Sequence, residues 1–311
     1  MDTEDNRNSA VLIQSDKNGI FGEKVFLCFK GRRHYVPSAE RLMEYGFLWP
    51  DDVIRVDERI ISGFRPGGHL PSPSATLREI SPKSGSVRMR EALAHELSGT
   101  GIEIGAGASA FPVPLHCRVV YVDRYDIEEL KSNKYGTDKE EDLIIPDFIS
   151  DAEDLGPFSD NSLDFIILCH VIEHTKNPIG AILQAFRKLR AGGKLLLVIP
   201  DKERTFDRLR DITEIEHLII DFNDPDPRRD HSHYEEFYRL AIPVNKWDFD
   251  NFVSDMFRIE YPIHFHVWNY LSFCEMLTYI TNNLCTWNGI RTFPAMADPA
   301  ADIEFYALLT R

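Results

Sequence analysis

Short apolar runs, each ending on a polar or turn-forming residue, organise the middle of the chain. Residues 102–104, 119–123, 163–170 and 194–200 each read as a strand. The last two are apolar almost throughout, which predicts strands buried on both faces of a parallel sheet. Between them, residues 177–190 place Ile179, Ile182, Leu183, Phe186 and Leu189 at helical spacing, and Gly192 and Gly193 end the pattern. A shorter run at 147–151 predicts one more strand, ending on Asp151. Strands alternating with helices in this way predict an α/β fold around a parallel sheet.

The flanks depart from that alternation. Residues 1–20 read as a flexible tail and 21–62 as a small β-rich module. In that module, 23–29 and 33–36 flank Lys30-Gly31-Arg32 as a hairpin, Ser38 can cap a short helix reaching Glu44, and 52–56 suggests a further strand. Residues 63–85 hold a Gly-, Pro- and Ser-rich linker. A helix at 86–98 then opens a domain spanning 86–311. Residues 201–262 read as a substrate-side insertion with helical stretches at 213–220 and 233–240. A helix at 268–281 has Leu271, Phe273, Met276 and Leu277 as its expected buried positions, and strands at 285–293 and 303–309 come last.

The turn after the first core strand carries the chemistry. Gly105, Ala106 and Gly107 can turn sharply and lie against a ligand, and Glu103 delivers a carboxylate to the mouth of that turn. The next strand ends on Asp123, 18 residues after Gly105. This is the layout of a nucleoside-binding half of a doubly wound sheet. Gly105-Ala-Gly-Ala-Ser-Ala110 also satisfies the dinucleotide fingerprint, so the turn alone leaves a nicotinamide oxidoreductase open.

The longer string SDAEDLGPFSDNSLDFIILCHVIEHTKNPIGAILQAFRKLRAGGKLLLVIPD, residues 150–201, resembles the class I S-adenosylmethionine-dependent methyltransferases, over roughly 86–311. The resemblance implies a Rossmann-like, seven-stranded, mostly parallel sheet with an antiparallel C-terminal hairpin, absent from dinucleotide dehydrogenases. It implies S-adenosylmethionine as cofactor and S-adenosylhomocysteine as product. Glu103 with Gly105, Ala106 and Gly107 would hold the methionine part, and Asp123 the ribose hydroxyls, with Arg124 beside the adenine. Asp151 and the backbone of Ala152 would read the adenine edge, and His170 would lie near the methyl. Ser109 stands where many members have a third glycine, and Pro112 and Pro114 predict a short or broken first helix. Residues 21–62 resemble small modules attached to bacterial glycan-modifying enzymes, on the string GRRHYVPSAERLMEYGF. That implies O-methylation of a sugar or glycan-related small molecule. Another small metabolite or a lipid precursor as acceptor, a non-catalytic scaffold, and a module that caps the sheet or mediates a homodimer stay open.

Composition narrows the partners. The chain has 311 residues and is 43% hydrophobic, enough for one full domain and a small one. No apolar run approaches a membrane span, and the polar, acidic start does not read as a signal peptide. Five cysteines without CxxC spacing suit a reducing cytoplasm. Residues 1–85 hold 12 Lys+Arg and 12 Asp+Glu, so the rest supplies the whole net charge of −15. An acidic catalytic part repels phosphate backbones, which disfavours nucleic acid and favours a small-molecule acceptor.

Seven of the eleven histidines lie from residue 170 onward. A hydroxyl acceptor must lose a proton, and histidine titrates in the right range. His170 at a strand end, and His231 and His233 in the acidic stretch 230–236, are the candidate catalytic residues. A solvated helix start that Asp230 caps explains that stretch equally well. Glu173 and His174 are expected to brace the strand end and cap the next helix, with no metal. His264 and His266 alternate as in a strand, which would place both on one face and Phe265 on the other. Trp247, Phe249, Tyr261 and Trp268 add aromatic surface that suits a sugar ring.

Overall fold

The computed structural model describes residues 11–16, 21, 23–29, 32–36, 38, 42, 50–51, 53–69, 85–114, 116–132, 143–244, 247–298 and 302–311. The described residues fall into two compact units, 11–69 and 85–311.

The first unit is built on strands β1 (Val11–Ser15), β2 (Val25–Phe29), β3 (Arg32–Tyr35), β4 (Val53–Val56) and β5 (Arg65–His69), in the order β4-β1-β2-β3-β5. The predicted hairpin is β2 and β3, antiparallel with Phe26 opposite Tyr35. The expected tail over 1–20 is corrected by β1, which pairs with β2 on one side and β4 on the other. Leu12 and Ile13 explain why. Leu12 joins Val25, Leu27 and Leu42, while Ile13 joins Phe26, Cys28 and Ile61 on the opposite face. The helix α1 (Glu58–Ser62) supplies Ile61 and is capped by Asp57. The linker expectation is also corrected, because β5 lies within it and pairs in parallel with β3. Apart from Ser38 and Leu42, the helix expected from Ser38 through Glu44 lies outside the described residues.

The second unit is an α/β fold around a seven-stranded sheet. Its strands are β6 (Thr100–Ile104), β7 (Arg118–Asp123), β8 (Phe148–Ile149), β9 (Leu163–Cys169), β10 (Leu189–Pro200), β11 (Gly289–Phe293) and β12 (Glu304–Thr310). They run β11-β12-β10-β9-β6-β7-β8 across the sheet. Every pairing from β8 to β10 is parallel, with Ile102 between Val120 and Ile166. The strand β12 then lies antiparallel to both β10 and β11. This is the Rossmann-like architecture with a terminal antiparallel hairpin.

Side chains alternate across the pleat, and each set is covered. Ile166, Leu168, Leu195 and Leu197 pack with Ile179 and Ile182 of α4 (Pro178–Lys188) and with Phe273 and Met276 of α8 (Tyr270–Asn283). Phe165, Ile167, Leu196 and Val198 face the other way, onto Leu93 and Ala94 of α2 (Gly85–Ala94), and the short α3 (Ile127–Leu130) follows β7. Pro178 at its first position and Asn177 Oδ1, accepting from Gly180 N at 2.8 Å, start α4. The strand β10 begins earlier than its apolar core suggests, at Leu189 opposite Leu163, and its register shifts before Lys194. Gly192, at φ 78°, lies in that irregular stretch.

The insertion carries α5 (Ile215–Asn223), α6 (Pro227–Glu236) and α7 (Phe249–Arg258). The first two match the expected helical stretches, though α6 starts earlier than residue 233 and continues as a π-turn over Phe237–Ala241. Leu271 is corrected to an exposed position, at 73%, because Phe273, Met276, Leu277 and Ile280 form the buried stripe of α8.

Candidate functional site

In an open α/β sheet, ligands bind beyond the carboxyl ends of the strands where the strand order reverses. Here that point lies between β6 and β9, whose chains continue to opposite sides. Gly105 leaves β6 at φ 68°, and a Cβ there would meet Val171 Cγ2 at 2.8 Å. Gly107 also has a positive φ, of 51°. The following residues, 105–114, contain no helix, as Pro112 and Pro114 lead one to expect. One backbone and one side-chain hydrogen bond hold this stretch instead, from Ile144 N to Gly107 O and from Phe111 N to Glu103 Oε1, both at 2.8 Å.

The structure places Glu103, Asp123 and Asp151 successively at or just beyond the ends of β6, β7 and β8. Glu103 and Asp123 are buried, at 1% and 8% exposure. Asp123 Oδ1 accepts from Tyr125 N at 3.1 Å, and Asp151 Oδ1 from Glu153 N and Asp154 N. Ala152 is buried beside it. Arg124 extends to Glu260, 2.5 Å from Nη2 to Oε2. That exposed ion pair is weak enough to rearrange around a ligand.

His170 follows β9 with φ 54°, an uncommon conformation for a side chain-bearing residue and one typical of functional strand ends. Its Nε2 lies 2.7 Å from Glu304 Oε2, and its Nδ1 lies 3.7 Å from Glu173 Oε1. Glu304 is the hub, since Arg90 Nε (2.7 Å) and Tyr306 Oη (2.8 Å) also donate to it. Burial pushes the Glu304 carboxyl up, but the hydrogen bonds from Arg90 and His170 outweigh it and hold the group at about 2. A depressed carboxyl adds stability above its ordinary value of 4.5, and that stability is lost as pH falls toward 2. The contribution is on the order of 3 kcal/mol. Glu304→Gln is therefore expected to lose most of that amount at pH 7 and little near pH 2. Urea unfolding of both proteins at the two pH values checks it; an equal gap at both would remove the electrostatic cause.

Beyond β10 the insertion is held by buried polar chemistry. Arg210 is fully buried and donates to Asp207 Oδ1 (3.0 Å), His264 O (2.8 Å), Phe265 O (3.2 Å) and both oxygens of Glu236. His264 Nδ1 lies 2.6 Å from Asp207 Oδ2. Burial pushes Asp207 up, yet His264 and Arg210 hold it below the usual carboxylate range. His264 and His266 do not share surroundings, because 261–267 is not a strand. His266 is fully buried against His217 and His233.

His233 is 7% exposed and packs among His217, His266 and Phe265. Burial and the neighbouring His217 hold it down at about 4. His231 lies elsewhere on α6, with Nδ1 3.3 Å from Glu235 and its ring edge on Phe257. No described contact joins either of them to His170. Glu173 and His174 do brace the strand end: Glu173 O accepts from Phe265 N at 2.7 Å, and His174 Nδ1 lies 2.8 Å from Ile263 O. Capping of α4 falls to Asn177 rather than to Glu173. Among the described residues, two groups have ligand atoms close enough to share an ion, Glu173–His174–His264 and His217–Asp221–His233–His266. Glu304, Arg90 and Arg210 were not legible as site residues, since each acts through partners far away in sequence.

Residues 102–197 match the family model described as a methyltransferase domain. An uncharacterised protein of Methanocaldococcus jannaschii is 31% identical over 109 residues, 35% of this chain and 48% of that protein. The chain thus spans about half the length of the curated relative it matches. Among solved structures, a methyltransferase of Thermotoga maritima that uses S-adenosylmethionine is 18% identical, covering 72% of this chain and 86% of the other, with a TM-score of 0.39. One from Aquifex aeolicus is 16% identical, covering 78% and 99%, with a TM-score of 0.38.

Proposed function

We propose that this chain is an S-adenosylmethionine-dependent methyltransferase, the activity of the methyltransferase domain matched over residues 102–197. The observation that carries the reading is the set of three carboxylates, Glu103, Asp123 and Asp151, at the ends of successive strands around a positive-φ glycine turn. The cofactor fits those residues. Gly105 lacks the Cβ that would collide with Val171, so backbone can lie close to a ligand there. Glu103 and the turn through Ala106 and Gly107 would hold the amino acid end, Asp123 the ribose hydroxyls, and Asp151 with Ala152 the base. Arg124 would exchange its partner Glu260 for the base edge.

When bound, the cofactor supplies a methyl on a sulfonium, already activated for in-line displacement. The chain must then orient the acceptor and take its proton. We assign that work to His170, which follows β9 beside the switch point. A proton taken up at Nδ1 would lie on the side of Glu173 Oε1, 3.7 Å away, while Nε2 stays on Glu304. For the acceptor we keep a hydroxyl on a sugar or glycan-related small molecule. Exposed rings on the insertion, Phe206, Trp247 and Tyr261, suit a sugar face, and the acidity of 86–311 disfavours nucleic acid. Another small metabolite or lipid precursor would meet the same residues. No helix among the described residues is long and apolar enough to cross a membrane, and we place the activity in the cytoplasm.

Calorimetric titration with S-adenosylhomocysteine, with NADH as the control, tests the reading. Micromolar binding of the first alone is expected. Binding of NADH alone would return the chain to the oxidoreductases.

A further inference from the structure

We propose that His217, Asp221, His233 and His266 form a four-ligand zinc site that pins the insertion to the turn after β9. Their ligand atoms all lie within 4.8 Å of one another. His217 Nε2 is 3.1 Å from His233 Nε2 and 3.0 Å from Asp221 Oδ2, and His266 Nε2 is 3.7 Å from that same oxygen. Zinc bonds of about 2.0–2.1 Å in a tetrahedron set their ligand atoms roughly 3.3 Å apart. The observed spacings bracket that value.

One buried atom points to a missing ligand. Asp221 Oδ2 has no hydrogen-bond partner of acceptable geometry, in a residue exposed only 5%, and His266 Nε2 would give up its 3.2 Å contact with Lys176 O to the ion. Burying such an acceptor without a partner is costly, and a cation at the centre of the cluster would satisfy the carboxylate. The surroundings also suit a metal. Arg229 Nε holds Asp221 Oδ1, which fixes the carboxylate and leaves Oδ2 facing the histidines. His217, its side chain 34% exposed, is the route of entry.

Three imidazole nitrogens and one carboxylate oxygen favour zinc over magnesium or calcium, and four protein ligands make a closed, structural centre. His217 and Asp221 sit one turn apart on α5, and His233 comes from α6. His266 belongs to the strip whose neighbour Phe265 is tied to Glu173 O. The ion would therefore join two insertion helices to the turn that presents His170. This assignment does not depend on the cofactor or the acceptor.

Metal analysis of the purified full chain is expected to find one zinc per chain. After chelation, cobalt should restore the intense visible bands of a tetrahedral centre. Zinc at a hundredfold excess over its dissociation constant should raise Tm by roughly 5 °C. His217→Ala, at the half-exposed ligand, should bind zinc at least about a hundredfold more weakly. His174→Ala, which removes a member of the Glu173–His174–His264 group and none of these four ligands, should bind it normally. No zinc binding by the wild-type chain, a weak octahedral cobalt spectrum, or zinc lost in His174→Ala but kept in His217→Ala each overturns the proposal.

Discussion

Asp123→Ala should bind S-adenosylhomocysteine at least about a hundredfold more weakly than the wild-type chain while keeping its fold. Hydrogen bonds to a charged group are worth about 1.5–3 kcal/mol each, and a carboxylate at the end of β7 can receive both ribose hydroxyls. Two such bonds correspond to roughly 10²–10⁴ in affinity. The fold should survive because Asp123 ends its strand and its side chain accepts locally, from Tyr125 N. Calorimetry and a melting curve on the variant separate the two effects. Undiminished affinity with a normal Tm would remove Asp123 from the cofactor site.

The largest loss of stability is expected from Arg210→Met. Every part of this fully buried guanidinium is engaged, on Asp207, Glu236 and the carbonyls of His264 and Phe265. Removing it leaves the Asp207 carboxylate, 1% exposed, facing His264 alone. Breaking one side of a buried pair costs about 3–5 kcal/mol, chiefly through the charge left behind. Methionine keeps most of the volume, so lost packing is not the cause under test. A fall in Tm of roughly 10 °C follows for a unit of this size. The double variant Asp207→Asn with Arg210→Met should recover part of it, because no uncompensated charge is then buried. Near-wild-type melting of the single variant would falsify the account. The 263–266 strip should loosen with it, since Arg210 holds two of its carbonyls.

Much of the core was legible because its signals are local. The runs at 102–104, 163–170 and 194–200 became β6, β9 and β10, and the spacing of Ile179, Ile182, Leu183 and Phe186 became α4. Local signals also failed in explicable ways. The strand β1 reads as a tail in the sequence because three apolar residues, Val11, Leu12 and Ile13, gain meaning only from partners on both sides. The helix α7 was missed although Phe249, Phe252, Val253 and Met256 have helical spacing behind Asp248, its cap. Leu271 fitted the expected apolar positions of α8 but fell on the solvent side once the helix was docked.

The sequence by itself determined the fold class, the glycine turn and the order of the carboxylates, because each depends on residues a few positions apart. Tertiary structure alone decided which polar groups meet. Glu304 reaches His170 across 134 positions, and His217 meets His233 and His266 from separate elements. Burial is what gives these encounters their force. In a site without water, a carboxylate or imidazole is governed by the few groups that packing has placed against it, and no local pattern in the chain records which groups those are.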